Sequence, residues 1–118
     1  MESILTSIKK MLGLSADYVQ FDAEIIMHIN SVFTILNQLG VGPSKAFYIE
    51  DDSAEWADFM PEGSNLHAVK TYIFQRVKIS FDPSSLGSAT LAAYERSIQE
   101  FEWRLNVVAE TNEPDEFV

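Results

Sequence analysis

The 118 residues carry 18 acidic side chains against 8 basic ones, which gives a formal charge of −10, and they include no cysteine. The charge argues against tight binding to DNA or anionic lipid, and the absence of cysteine excludes disulfides, thiolate metal sites and thiol catalysis. No apolar run approaches the ~20 residues of a membrane helix, and the N-terminus lacks the basic start of a signal peptide. We therefore expect a protein that stays soluble in the cell that makes it.

Helical periodicity predicts a short first helix and a longer second one. The first ends before Gly13, and Lys9 lies in its last turn, where a cation complements the helix dipole. The second should begin with Asp22 as N-cap and end with Gly40 at the C′ position. Its apolar stripe consists of Ile25, Ile29, Val32, Phe33, Leu36 and Leu39.

Two further helices are predicted in the middle of the chain. A short one should span residues 53–60, with Asp52 and Glu55 as a capping box. The next should run from about residue 66 to 80, capped by Asn65 and ended by Pro83. Its β-branched and aromatic residues also permit a strand, but the length of the run and its broken alternation favour a helix.

Ser88 can cap a last helix that runs to about Glu110. Its apolar stripe consists of Leu91, Tyr94, Ile98, Phe101, Leu105 and Val108. The sequence thus predicts an all-α fold, a small bundle of four to five helices. We expect one domain over residues 1–110, followed by a flexible acidic C-terminal tail over residues 111–118.

The residues that could carry chemistry do not form a recognisable site. His28 and His67 are expected to be structural, because neither is predicted to have a carboxylate or second histidine at metal-ligand spacing. The acidic residues between Glu50 and Glu62 lack the ligand order of a calcium loop, so they indicate a solvated face or a docking surface for a basic partner. No phosphate loop or nucleophile elbow is present. We therefore predict no enzymatic activity, no cofactor and no metal.

The last helix has a second face that could meet a partner. Trp103 lies opposite the apolar stripe, and Val107 and Arg96 lie on that same far side. Tryptophan and arginine are favoured interface anchors, so this face either packs against the chain itself or contacts another subunit. The same two alternatives apply to Trp56 and Phe59 of the short helix, and there packing onto the bundle is favoured. At the end of the tail, Phe117 and Val118 could dock into a groove on a neighbour.

Several segments, in the same order, resemble head–tail connector (adaptor) proteins of long-tailed bacteriophages. The resemblance extends from residue 1 to about residue 109 and is carried by residues 25–32 (IIMHINSV), 37–43 (NQLGVGP), 49–56 (IEDDSAEW), 69–72 (VKTY), 81–83 (FDP) and 102–106 (EWRLN). It implies a virion structural protein with a helical-bundle fold and without enzymatic activity or cofactor.

The resemblance further implies a place in the virion neck, for a protein made in the host bacterial cytoplasm. Such connectors form a dodecameric ring below the portal protein, extend the DNA channel and offer a platform for the stopper or tail-completion protein. The free protein can be monomeric. An acidic wall would let DNA pass without specific binding. The alternative is a small acidic regulator or inhibitor that mimics DNA and binds a basic nucleic-acid-handling protein.

A nucleic-acid binder is a third hypothesis, which the sequence disfavours. A helix-turn-helix reader needs a basic recognition helix. Lys70, Arg76 and Lys78 do not share one face of the predicted fourth helix.

Overall fold

The computed structural model of the chain describes residues 2–111. These residues form five α-helices, and a single 3₁₀ turn at Pro83–Ser85 separates the last two: α1 (Ile4–Met11), α2 (Asp22–Gln38), α3 (Trp56–Phe59), α4 (Ser64–Phe81) and α5 (Ser88–Thr111). Within this range no strand is present, although Ser3 and Glu55 form an isolated β-bridge. The all-α prediction is confirmed, including the choice of helix over strand for α4.

The core lies around α4, which packs against α2 on one side and α5 on the other, while α1 packs against α2. Each helix turns its apolar stripe inward because burying that stripe is the main favourable term in folding. The buried members of these stripes are Ile4, Leu5, Ile8, Ile25, Ile29, Val32, Phe33, Leu36, Leu66, Val69, Tyr72, Ile73, Val77, Ile98 and Leu105. In the described range, no helix combines the length and apolar character that crossing a bilayer requires.

Glycine at the end of α2 behaves as its sequence position predicts. Gly40 has φ +84°, a left-handed conformation that a side chain disfavours, and it ends the helix directly after Leu39. The chain then turns back through Gly42, which also has positive φ. This turn brings the end of α2 alongside the end of α5, where Asn106 Nδ2 donates to the Leu39 carbonyl at 3.1 Å.

Three predicted N-caps are wrong by one or two residues. Asp22, Asn65 and Ser88 all lie inside their helices, and α2 begins after Phe21 without a side-chain cap. The Asp22 carboxylate instead contacts Lys9 Nζ at 2.8 Å. Lys9 also donates to the Ala16 carbonyl at 3.1 Å and is only 2% exposed. Its ammonium group therefore joins α1 to α2 from a buried position and is not solvated at the end of α1.

The short third helix is half as long as predicted, and its capping box lies three residues later. The carboxylate of Asp51 accepts hydrogen bonds from the backbone N–H and the hydroxyl of Ser53, which closes a local turn and keeps this segment out of the helix. Asp58, at the third helical position, accepts from the backbone N–H of Glu55 at 2.8 Å. The box is thus formed by Glu55 and Asp58, not by Asp52 and Glu55.

Candidate partner interface

Helix α5 has one covered face and one open face. Ile98 and Leu105 are buried against the core, and other members of the predicted stripe are partly covered. On the opposite side Trp103 is 68% exposed, the highest exposure among the large apolar side chains of the described residues. Tryptophan is highly buried on average, so an open indole on a helix is the feature that most resembles an interface anchor.

The residues beside Trp103 complete a mixed apolar and charged surface. Arg96 is exposed and makes no ion pair within residues 2–111, while Val107 is partly covered. Glu100 and Arg104 form an i,i+4 ion pair at the surface. We call the surface formed by Arg96, Trp103 and Val107 the open face of α5. A tryptophan with a nearby unpaired arginine can bury apolar area and still donate hydrogen bonds to a partner.

A hydrogen-bonded cluster holds α5 against α4 and so fixes the direction of the open face. Glu102 Oε2 accepts from Arg76 Nη2 at 2.6 Å and from the Tyr72 hydroxyl at 2.7 Å, and Arg76 Nε donates to the Tyr72 oxygen at 2.9 Å. Burial, and next the hydrogen bond to Glu102, raises the pKa of Tyr72 above its ordinary value. Sequence reasoning missed this cluster because Glu102 is 26 and 30 residues from Arg76 and Tyr72, and no local pattern joins it to them.

The two aromatic candidates on α3 are inside the protein. Trp56 is 4% exposed, and Lys70 Nζ lies 5.3 Å from the centroid of its ring. Phe59 is buried in an aromatic group with Phe33 and Phe47, at centroid distances of 4.8 and 5.3 Å. These positions correspond to the alternative in which Trp56 and Phe59 pack onto the bundle. Neither side chain is available on the surface of the single chain.

Two other candidates, Phe117 and Val118, lie outside the described residues. So does most of the predicted tail, except that Thr111 belongs to α5.

Both histidines lie where the sequence placed them, but one expectation about them is wrong. Glu24, one turn before His28 on α2, has a carboxylate oxygen 3.5 Å from His28 Nε2, so a carboxylate is present at metal-ligand spacing. His67 is exposed on α4. Among the described residues no three histidine, aspartate or glutamate side chains gather closely enough to hold a metal ion.

The acidic run is exposed over most of its length. Glu50, Asp51, Asp52, Asp58 and Glu62 are all at the surface, and none of them forms an ion pair within the described range. The run therefore lies open on the surface of the single chain as a concentration of negative charge.

Comparison with known proteins gives one match. The model of a family described as phage connector protein matches residues 4–112, nearly the whole chain. No curated protein and no solved structure matches.

Proposed function

Because the chain belongs to the phage connector protein family, we propose that it is the subunit of a ring that docks on the portal protein of a bacteriophage. Membership of this family of structural proteins gives the chain a structural connector role at the head–tail interface, in contact with other proteins of the phage head and tail. The finer proposal is a dodecameric ring that extends the DNA channel and carries the stopper or tail-completion protein. The role requires no catalytic group and no cofactor.

The observation that carries the ring proposal is the open face of α5. Neighbours in a ring meet through two different surfaces, because a head-to-tail contact is heterologous. α5 lies at the edge of the bundle, with α4 on its inner side, so its outer surface is free to serve as one of the two. Trp103 and Arg96 are the residue types that most often dominate the binding energy of such contacts.

The negative charge supports the channel part of the proposal. DNA carries one negative charge per about 1.7 Å of its axis, so a wall rich in exposed carboxylates repels it at every step. A chain of net charge −10 arranged in a ring would favour passage of DNA over adhesion to it.

The direct test is to mix the purified protein with the portal protein of the same phage and to image the product by electron microscopy. A ring on the portal is expected. Trp103→Ala should reduce ring formation at least tenfold, whereas Tyr48→Ala, which removes another exposed aromatic ring away from α5, should leave it unchanged. No binding to the portal or to other neck proteins at any salt concentration would contradict the proposal.

The exposed acidic run favours one second candidate, a DNA mimic that inhibits a basic nucleic-acid-handling protein. Its carboxylates are unpaired within residues 2–111 and so remain available to a basic partner. This candidate predicts a host protein retained in a pull-down and released by salt. If the gene lies beside portal and capsid genes and the pull-down retains no such partner, the connector role is favoured over the DNA mimic.

A further inference from the structure

A groove of about 560 Å³ lies at the end of α5, and the connector proposal does not use it. It is enclosed by the last two turns of α5, the end of α2 with the turn that follows it, and residues beside α3 and at the start of α4. Its lining residues are Asn37, Gly40, Val41, Gly42, Pro43, Ser44, Met60, Asn65, Leu105, Val108 and Ala109.

The walls of the groove are held in place by close packing. A Cβ atom at Gly42 would lie 2.5 Å from a ring carbon of Phe59, so the turn after α2 rests directly on the buried aromatic group. A Cβ atom at Gly40 would lie 3.3 Å from the Cβ of Ala109, so α5 approaches the same turn from the other side. The groove therefore exists before any occupant arrives, and binding there costs little rearrangement.

The charge around the groove is unlike that of the rest of the surface. None of its lining side chains is ionisable, although the chain as a whole carries −10. Lys45 follows the lining residue Ser44, is exposed, and forms no ion pair with any residue of the range 2–111. An acidic segment with an apolar end would therefore meet no charged side chain in the lining itself and would find a cation next to the lining residue Ser44.

The residues that follow α5 have this composition. Residues 112–118 read NEPDEFV, three carboxylates and then two apolar side chains at the C-terminus. A helix is not expected to continue through Pro114, because proline lacks a backbone N–H and restricts the residue before it. The six residues after Thr111, up to Phe117, extend by at most about 20 Å, and the last turn of α5 is itself a wall of the groove.

We infer that the groove is the docking site for residues 112–118 of the same chain, with Phe117 against the apolar lining and the carboxylates facing Lys45. A tether this short gives an effective concentration on the order of millimolar, which favours the groove of the same chain over that of a neighbour. The inference stands apart from the connector proposal, because it concerns the single chain. The expectation that Phe117 and Val118 reach a neighbouring copy remains the alternative, and the test below separates the two.

The chain has no cysteine, so introduced pairs can report on this contact without interference. The test pair is Ser44→Cys with Glu116→Cys, and the matched control is Gln38→Cys with Glu116→Cys. Gln38 is exposed and directly follows the lining residue Asn37, but it is not itself a lining residue of the groove. Mild oxidation of the dilute full-length chain, followed by electrophoresis and mass spectrometry, measures the rate of disulfide formation within one chain. Circular dichroism checks that every variant keeps its helical content.

The test pair is expected to close at least about tenfold faster than the control pair, and adding Phe117→Ser should lower its rate to that of the control. Equal rates for the two pairs would overturn the inference. So would bridges that form only between chains, detected by mixing tagged and untagged protein, because the occupant would then be a second copy.

Discussion

Helices α4 and α5 are neighbours in the chain and in space, yet the protein uses them differently. α4 has 18 residues and buries five large side chains, whereas α5 has 24 residues and buries only two. The difference follows from position, because α4 packs against both α2 and α5, whereas α5 packs along its length against α4 and meets the end of α2 only near its own C-terminal end. A longer helix with less burial is held in part by polar contacts, and it keeps a face that the fold does not need.

We therefore expect α4 to contribute mainly to stability and the open face of α5 mainly to recognition. Substitutions in α4 should act on the free energy of unfolding, while substitutions on the open face of α5 should act on assembly. The hydrogen-bonded cluster of Tyr72, Arg76 and Glu102 joins both helices. Substitutions in it should therefore have an intermediate effect on the free energy of unfolding.

The largest effect is expected at the centre of α4. Ile73 is completely buried, so Ile73→Ala should lower the free energy of unfolding by about 2–5 kcal/mol through lost apolar burial and the cavity left behind. Leu91→Ala removes a partly exposed residue from the stripe of α5 and should cost less than half as much. Urea denaturation followed by circular dichroism measures both values. Equal losses would mean that α5 is packed as deeply as α4.

The next effect tests the polar attachment of α5. Glu102→Ala leaves the Arg76 guanidinium and the Tyr72 hydroxyl without their shared acceptor and should cost about 1–3 kcal/mol. Glu100→Ala is the matched control on the same helix, since its ion pair with Arg104 is more than half exposed at both ends. That change should stay within about 0.5 kcal/mol. A similar loss for both variants would show that Glu102 acts only as another surface charge.

Tyr72→Phe should have a smaller effect at neutral pH and a distinct effect in alkali. It removes the hydroxyl that bridges Glu102 and Arg76, at a cost of about 0.5–1.5 kcal/mol. Because the pKa of Tyr72 is raised in the folded chain, the folded state holds the phenolic proton more tightly than the unfolded state does. Titration of this group therefore leaves the free energy of unfolding unchanged below about pH 10 and lowers it as the pH rises beyond that value.

Denaturant titrations of the native chain and of Tyr72→Phe between neutral and alkaline pH would measure that fall. The variant should lose less stability than the native chain above about pH 10, because it no longer carries the group that titrates. If the free energy of unfolding falls equally with pH in both proteins, burial and Glu102 do not raise the pKa of the Tyr72 hydroxyl.

Helix periodicity and the exposed tryptophan were predictable from the sequence because both depend on local spacing. The stripe of α2, the end of that helix at Gly40 and the outward position of Trp103 follow from the helical repeat and from the tolerance of glycine for positive φ. Nothing in these features depends on which other segment lies nearby.

Two features that were not predictable join segments that are separated in the chain, and a third depends on competition between two local turns. Lys9 is buried because Asp22 and the Ala16 carbonyl bind its ammonium group. The helix dipole depends only on the position of Lys9 within α1, so it predicts neither partner. The helical wheel identifies Arg76 only as one of three scattered cations on α4, whereas in the structure its guanidinium is paired with Glu102. The capping box of α3 lies later than predicted because Asp51 makes a competing local turn with Ser53. The choice between this turn and an earlier capping box depends on small energy differences.

The smallest effect on folding is expected on the open face of α5, and it separates recognition from stability most sharply. Trp103→Ala should change the free energy of unfolding of the single chain by less than about 0.5 kcal/mol, because most of the indole is already in water. The other tryptophan is the control, since Trp56→Ala removes a buried ring and should cost about 3–5 kcal/mol. Both changes remove the same side chain from the same protein, so urea titrations of the two variants differ only in what surrounds the ring. If Trp103→Ala leaves stability intact and still prevents the ring on the portal, the indole serves a partner. If it destabilises the chain as Trp56→Ala does, the side chain packs within the fold in solution, and the open face of α5 is not the interface.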